Sequence, residues 1–308
     1  MPVDVMPERG KLSLVDRMEL HGGGCAHNTG IDLAKIGIKT AVIGKVGSDG
    51  FGDFMVGSLE KNGIDCRGVA RDREVATSAT MVMVHGDGER SFIHYIGANA
   101  TLTDADIDFE IIKSSKILHV AGAFLMPGFD GEPTARVLKK AREMGVTTAL
   151  DTAWDSRGNW MKLLEPCLEY VDYAVPSIEE ARMVTGRHEP EDVAKALMDK
   201  GVGVVALKMG SEGCYIRSSD IELRIPIYKV RALDALGAGD AFAAGFLAGL
   251  VNGWGLERTG KFANATGAFC VTALGATTGI RSQEAIEEFV YIQENSCATS
   301  PNGCGCKP

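Results

Sequence analysis

Aromatic residues make up only 6% of the 308 residues, prolines number 10, and no apolar run is long enough to cross a bilayer. The longest, 241–251, is about half a membrane span and contains two glycines. A basic surplus is also absent. Lys+Arg 32 against Asp+Glu 41 leaves a net charge of −9, which excludes a sequence-wide cationic surface for nucleic acid. An anionic ligand would have to be held locally, by backbone N–H groups or a divalent cation. The amino-terminal MPVDVMPERGKLSLVD lacks the apolar core of a signal peptide, so a cytoplasmic location is expected. A disulfide framework is missing as well. Of eight cysteines, Cys25, Cys66, Cys167, Cys214 and Cys270 are scattered through apolar or motif contexts and read as reduced thiols. Cys297, Cys304 and Cys306 fall in CATSPNGCGCKP, where Pro, Asn and Gly read as a disordered tail over 297–308 more readily than as a soft-metal site. His21, His27, His85, His94 and His119 show no paired metal spacing.

Glycine is abundant, at 38 residues without a collagen-like period, which indicates tight turns and places where backbone approaches something closely. The rest of the composition is ordinary for a globular chain, 45% hydrophobic and 24% charged. No repeat or low-complexity linker divides the sequence, and periodicity yields alternating elements. Helical patterns cover 26–36 and 51–62, with a short apolar run at 40–46 between them. Two strands at 79–84 and 91–96, separated by HGDGER, read as a hairpin. From 117 the rhythm is βαβα: strands at 117–121, 146–151, 170–175 and 202–208 alternate with helices at 133–144, 178–184 and 191–199. Helices at 239–251 and 256–273 close the pattern. Continuous Val/Ile/Leu/Ala strands between helices predict a mainly parallel sheet covered on both faces. The expected organisation is one α/β domain over 1–296, with a small β excursion from about 1–20 and 65–97.

The most informative stretch is Arg231-Ala-Leu-Asp-Ala-Leu-Gly-Ala-Gly-Asp-Ala-Phe. A Gly237-Ala238-Gly239 turn leads directly into an apolar helix, so the free N–H groups of its first turn and the positive dipole end make an anion site. Asp240, in that first turn, is either a proton-handling carboxylate beside the anion or simply a favourable first-turn acid. No G-x-x-x-x-G-K-[ST] occurs, which excludes a P-loop.

This segment resembles the second signature of the ribokinase-like (PfkB) carbohydrate kinases, D-T-x-G-A-G-D. The family's first signature appears as Gly23-Gly24-Cys25-Ala26-His27-Asn28-Thr29-Gly30, with Gly37 and Gly47 downstream. The resemblance implies a ribokinase-like three-layer sandwich with a small β lid, and ATP-dependent phosphotransfer to a hydroxyl of a small sugar or sugar acid. A nucleoside kinase of the same fold is the alternative, and a non-catalytic sugar- or nucleotide-binding protein a more distant one. It further implies that Asp240 is the general base and that Gly237, Ala238 and Gly239 offer N–H groups to the phosphoryl. Ala235 stands where the family carries a small polar residue.

Val175-Pro-Ser-Ile-Glu-Glu resembles the family's N-x-x-E segment, giving Glu180 a place in organising Mg2+ through water. Ser177 replaces the Asn, and Ser177 with Glu180 also reads as a helix capping box. Lys208, Gly210 and Gly213 in KMGSEG resemble the nucleotide-side strand and turn, or equally a hairpin turn into Cys214. Asn264 would lie beside the adenine. Asp234, with carbonyls from about 273–278, would hold a monovalent cation such as K+. On the acceptor side Gly23, Gly24 and Asn28 suit hydroxyl groups, and Gly97-Ala-Asn99-Ala-Thr-Leu-Thr resembles the ribokinase G-A-N-A-x-L-T run. Asn28 could equally be a helix cap and Asn99 a turn residue. The implied lid suggests a homodimer through it. Pro2-Val-Asp-Val-Met-Pro-Glu-Arg-Gly resembles the piece that follows the family's first central strand, so that strand is expected to be missing from this chain.

Overall fold

The structure is a computed structural model that describes residues 1, 8–85 and 90–298. Its centre is a six-stranded sheet in the order β10-β9-β8-β7-β6-β5, built from β5 (Ile117–Ala123), β6 (Thr147–Thr152), β7 (Tyr173–Ala174), β8 (Val204–Lys208), β9 (Cys214–Arg217) and β10 (Glu222–Ile225). Strands β5 to β8 are parallel, and β9 runs antiparallel to both of its neighbours, β8 and β10. The two faces are buried by different helices. Leu150 of β6 enters a cluster with Leu138 of α4 (Glu132–Glu143), Leu164 of α5 (Met161–Leu168), Ala181 of α6 (Ile178–Thr185) and Leu197 of α7 (Pro190–Met198). Its neighbour Ala149 points the other way. It meets Leu33 of α1 (Cys25–Ile36), Ala244 of α8 (Ala238–Val251), Phe262 of α9 (Leu256–Cys270) and Ile286 of α10 (Gln283–Ala298). The period of two in a continuous apolar strand thus produces the three-layer sandwich.

Helices α8 and α9 approach closely because glycine lines their seam: a Cβ on Gly245 would lie 2.5 Å from Thr266 Oγ1. Helix α1 lies along α8 and ends in a left-handed Gly37 whose N–H bonds the carbonyls of Ala34 and Leu33, a common C-terminal stop.

Two smaller sheets flank this body. Strands β1 (Ala41–Gly47) and β2 (Asp65–Asp72) pair in parallel across α2 (Gly50–Lys61), and β3 (Ala79–Val84) pairs antiparallel with β4 (Arg90–Tyr95) as the expected hairpin. The expected lid therefore needs correcting. Residues 65–72 belong with β1, where glycine at 68 leaves room for Ile43 and for Ile111 of α3 (Phe109–Lys113), and 8–20 form no strand. Met1 adds to the hairpin through backbone bonds to Val82 and Val84. Helices α5 and α10 were not legible as elements, and α10 continues through Ala298 into the segment expected to be tail. Residues 299–308 and the run 2–7 lie outside the described residues.

Strands β1 and β5 do not pair with one another. Yet α1 packs on both, Gly30 against Val42 and Cys25 against Gly122. Ile43 and Leu118 also pack against the same apolar cluster.

Candidate active site

A cleft of about 350 Å³ opens where the carboxyl ends of β6 and β8 meet the amino-terminal ends of α1, α6 and α8. Cys25, Asp151, Thr152, Trp154, Ser177, Glu180, Lys208, Gly210, Gly237, Gly239 and Asp240 are among the residues lining it. Ligands of open α/β sheets bind at this end of the strands.

The turn into α8 is dictated by Gly237. Its φ of +82° is left-handed, and a Cβ there would come 2.5 Å from the Ala276 carbonyl oxygen. Ala241 N–H closes the first helical bond onto Gly237 O, so the N–H groups before it face the cleft. Ala238 is partly diverted, its N–H turning back to Ala235 O at 3.3 Å. Asp240 follows one step into the helix, with its carboxylate Oδ2 accepting from Asn28 Nδ2 at 2.8 Å. Burial raises the proton affinity of Asp240, while the Asn28 donor and the Lys208 ammonium oppose that rise.

Across the cleft, the Lys208 Nζ at the end of β8 donates to both oxygens of Asp151, at 2.8 and 2.7 Å. Burial pushes the Asp151 carboxyl up to about 7 against the pull of that ammonium. For Lys208, burial favours the neutral form, but Asp151 outweighs it and keeps the amine charged. The ammonium reaches toward the α8 turn: a Cβ on Gly239 would lie 3.4 Å from Nζ. Glu180 is fixed by Thr152, whose Oγ1 donates to Oε2 at 2.7 Å, and by the capping box with Ser177. The Lys208 ammonium, the carboxylates of Asp151, Glu179, Glu180 and Asp240 and an N–H turn thus share one pocket. That set suits a phosphate chain whose charge a divalent metal shares, and carboxylate oxygens are hard ligands of the kind Mg2+ takes. Among the described residues no group of three or more His, Cys, Asp or Glu is placed to hold a metal ion by itself.

The pocket does not gather every expected residue. Asn28 faces Asp240, to whose carboxylate its amide Nδ2 donates. Asn264 donates to the carbonyls of Ile225 and Pro226 at 3.0 and 3.1 Å, which tie α9 to the strand end. Gly213 completes the tight β8–β9 hairpin. Asn99 sits half-buried in the 3-10 turn Gly97–Thr101, which packs on β1. Gly23 and Gly24 precede α1, with Gly24 left-handed at its N-cap. Asp234 accepts from Leu236 N and Gly275 N, at 2.9 and 3.0 Å, and so joins the segment before the α8 turn to the loop after α9. Asp151 opens a stretch through Trp160 that resembles the family's D-x-N-x-R-x-x-x-W run, and Cys25 falls within the first signature, but neither carries an assigned chemistry from the sequence. The Cys25 thiol, half-buried beside Asp240, has its proton affinity raised by desolvation and by that carboxylate.

Residues 1–283 match the pfkB family carbohydrate kinases. The chain belongs to that family. Among its relatives, "Probable fructokinase-5" of Arabidopsis thaliana is 31% identical over 293 residues, covering 90% of each chain. Ribokinase from Thermotoga maritima superposes with a TM-score of 0.82 at 27% identity and covers 94% of both chains. An Escherichia coli protein designated ribokinase II, solved with ATP and Mg2+, gives a TM-score of 0.76 at 26% identity, covering 92% of this chain and 94% of that one. The present chain is accordingly an ATP-dependent carbohydrate kinase with the ribokinase fold.

Proposed function

We propose that Asp240 removes the proton from an acceptor hydroxyl, which a small sugar or sugar acid presents near Gly23 and Gly24. The alkoxide-like oxygen attacks the γ-phosphorus as the bond to the β,γ-bridging oxygen breaks, and ADP leaves with Mg2+. The N–H groups of Gly237, Ala238 and Gly239 take up charge on the phosphoryl oxygens, Gly239 with less competition than Ala238. Lys208 adds a cation on the same side. Glu180 orders Mg2+ through water, and Gly210 borders the nucleotide. The observation that carries this reading is the convergence of the Asp240 carboxylate, the α8 turn and the Lys208 ammonium on a single cleft.

Asp234 and the carbonyls of 273–278 are the place for a monovalent cation, which would brace the α8 turn from behind. The β3–β4 hairpin closes over the acceptor and excludes water as a competing acceptor. Exposed apolar residues lie on both of its faces, Met81, Ile93 and Tyr95 on one and Phe92 on the other. A two-stranded hairpin is marginal alone, so one face is assigned to the cleft and the other to a second copy of the chain. A nucleoside acceptor is the second reading, favoured by the Met81, Ile93 and Tyr95 face as a surface on which a base could stack. The reduced cysteines fit a cytoplasmic setting.

A coupled ADP-release screen over sugars, sugar acids and nucleosides, with and without K+, tests the assignment. Turnover with sugars that K+ stimulates supports it. Turnover confined to nucleosides selects the second reading, and none with any acceptor refutes both.

A further inference from the structure

Asp32 is a carboxylic acid with no exposed surface, and neither of its oxygens has a hydrogen-bond partner. It belongs to no motif and lines no part of the cleft. On α1 it lies one helical turn beyond Asn28, the residue whose amide holds the Asp240 carboxylate, and three residues beyond Thr29, whose hydroxyl reaches Asp240 O at 3.4 Å. The face of α1 that carries all three therefore packs on α8, among Leu33, Ile36, Ala241 and Ala244.

The charged groups around Asp32 do not neutralise it. Asp240 of α8 repels its charge. Lys35, a turn further along α1, attracts it, yet that ammonium is directed to the Thr277 carbonyl at 2.7 Å and shares its surroundings with Arg281. From α9 comes the buried Cys270 thiol, itself pushed up to about 12 and hydrogen-bonded to the carbonyls of Ala276 and Leu236. An ionised carboxylate without donors in such a place is among the costliest groups a protein can bury. A neutral carboxyl is tolerated, and burial accordingly moves the Asp32 equilibrium up to about 8.

We infer that Asp32 is a positioning residue for the catalytic base: neutral, it lets α1 lie against α8 with the Asn28–Asp240 bond intact, and its ionisation breaks that alignment and sets the alkaline limit of catalysis. The inference rests on the kinase reading for its effect on turnover, but the protonation state of Asp32 does not. Ionised, Asp32 places a second uncompensated negative charge one turn from the Asn28–Asp240 contact. The helix pair can then relieve it only by admitting water or a cation between α1 and α8.

Two measurements on the full chain separate the inference from the kinase reading. Infrared spectroscopy at neutral pH reads the carbonyl band of neutral carboxylic acids, to which Asp151 also contributes, and the wild-type band should be diminished by the share of Asp32 in Asp32→Asn. The kcat/KM profile should fall about tenfold per pH unit above about 8 in the wild type, and this limb should vanish or move upward in Asp32→Asn, with turnover at neutral pH retained. Asp32→Ser, smaller and unable to ionise, should behave like the Asn variant if the latter folds poorly. An unchanged carboxylic-acid band, or the same alkaline limb in both variants, overturns the inference. Absence of turnover with every acceptor removes the kinase reading, and the infrared result then decides on Asp32 alone.

Discussion

Replacing Asp240 with Asn preserves the shape of the side chain and removes its capacity to accept a proton. Asn28 Nδ2, which donates to Asp240 Oδ2 at 2.8 Å, can donate equally to the amide oxygen of the new residue, so the α1–α8 contact should survive. Burial already disfavours the wild-type charge at this position, and a neutral amide relieves that cost. The variant should therefore unfold no earlier than the wild type. Catalysis is another matter, because the α8 turn and Lys208 still receive the phosphates while nothing removes the hydroxyl proton. Positioned general-base transfer is worth about 100- to 10,000-fold, which corresponds to about 3–5 kcal/mol of barrier. Turnover at saturating Mg-ATP should drop by that factor with little change in KM for ATP, read by coupled ADP release. The pH dependence has a definite sign. A buried acid with a raised folded-state value binds a proton that the unfolded chain has released, so Asp240 favours the folded state most at acid pH and progressively less as pH rises toward its folded value. Activity needs the opposite form and falls as pH is lowered through that value. Asp240→Asn should flatten both trends. Unchanged turnover in a folded Asp240→Asn protein would refute the base assignment outright.

Lys208→Met and Asp151→Asn each break the buried pair and should each cost about 3–5 kcal/mol in denaturant unfolding. The double variant should cost much less than their sum, and strict additivity would show the two groups to be uncoupled. Turnover lost with Lys208 should not return in the double variant. Gly237→Ala must adopt a left-handed backbone at about 1–2 kcal/mol and also displace the Ala276 carbonyl, so both thermal stability and kcat should fall; wild-type turnover would remove the α8 turn from the mechanism.

The parts that were legible in the sequence share a physical property: one local pattern has only one way to be satisfied. Ala149 and Leu150 had to face opposite layers once β6 was an apolar run between helices. The Gly237 turn could lead only into an exposed ring of N–H groups, because the residues after it form an apolar helix. Where a pattern admits two satisfactions, the tertiary context chooses. Asn264 reads by resemblance as lying beside the adenine, and only the fold reveals that its amide also ties α9 to the strand end through the Ile225 and Pro226 carbonyls. Residues 65–72 read as part of a lid until Gly68 is seen to admit Ile43 and Ile111. Asp32 was illegible for a stronger reason. A charged residue amid an apolar helix face signals exposure by every local rule, and only the packing of α1 on α8 buries it. Violations of that kind persist when something else in the molecule depends on them. One turn away from Asp32 lies the hydrogen bond that holds the base.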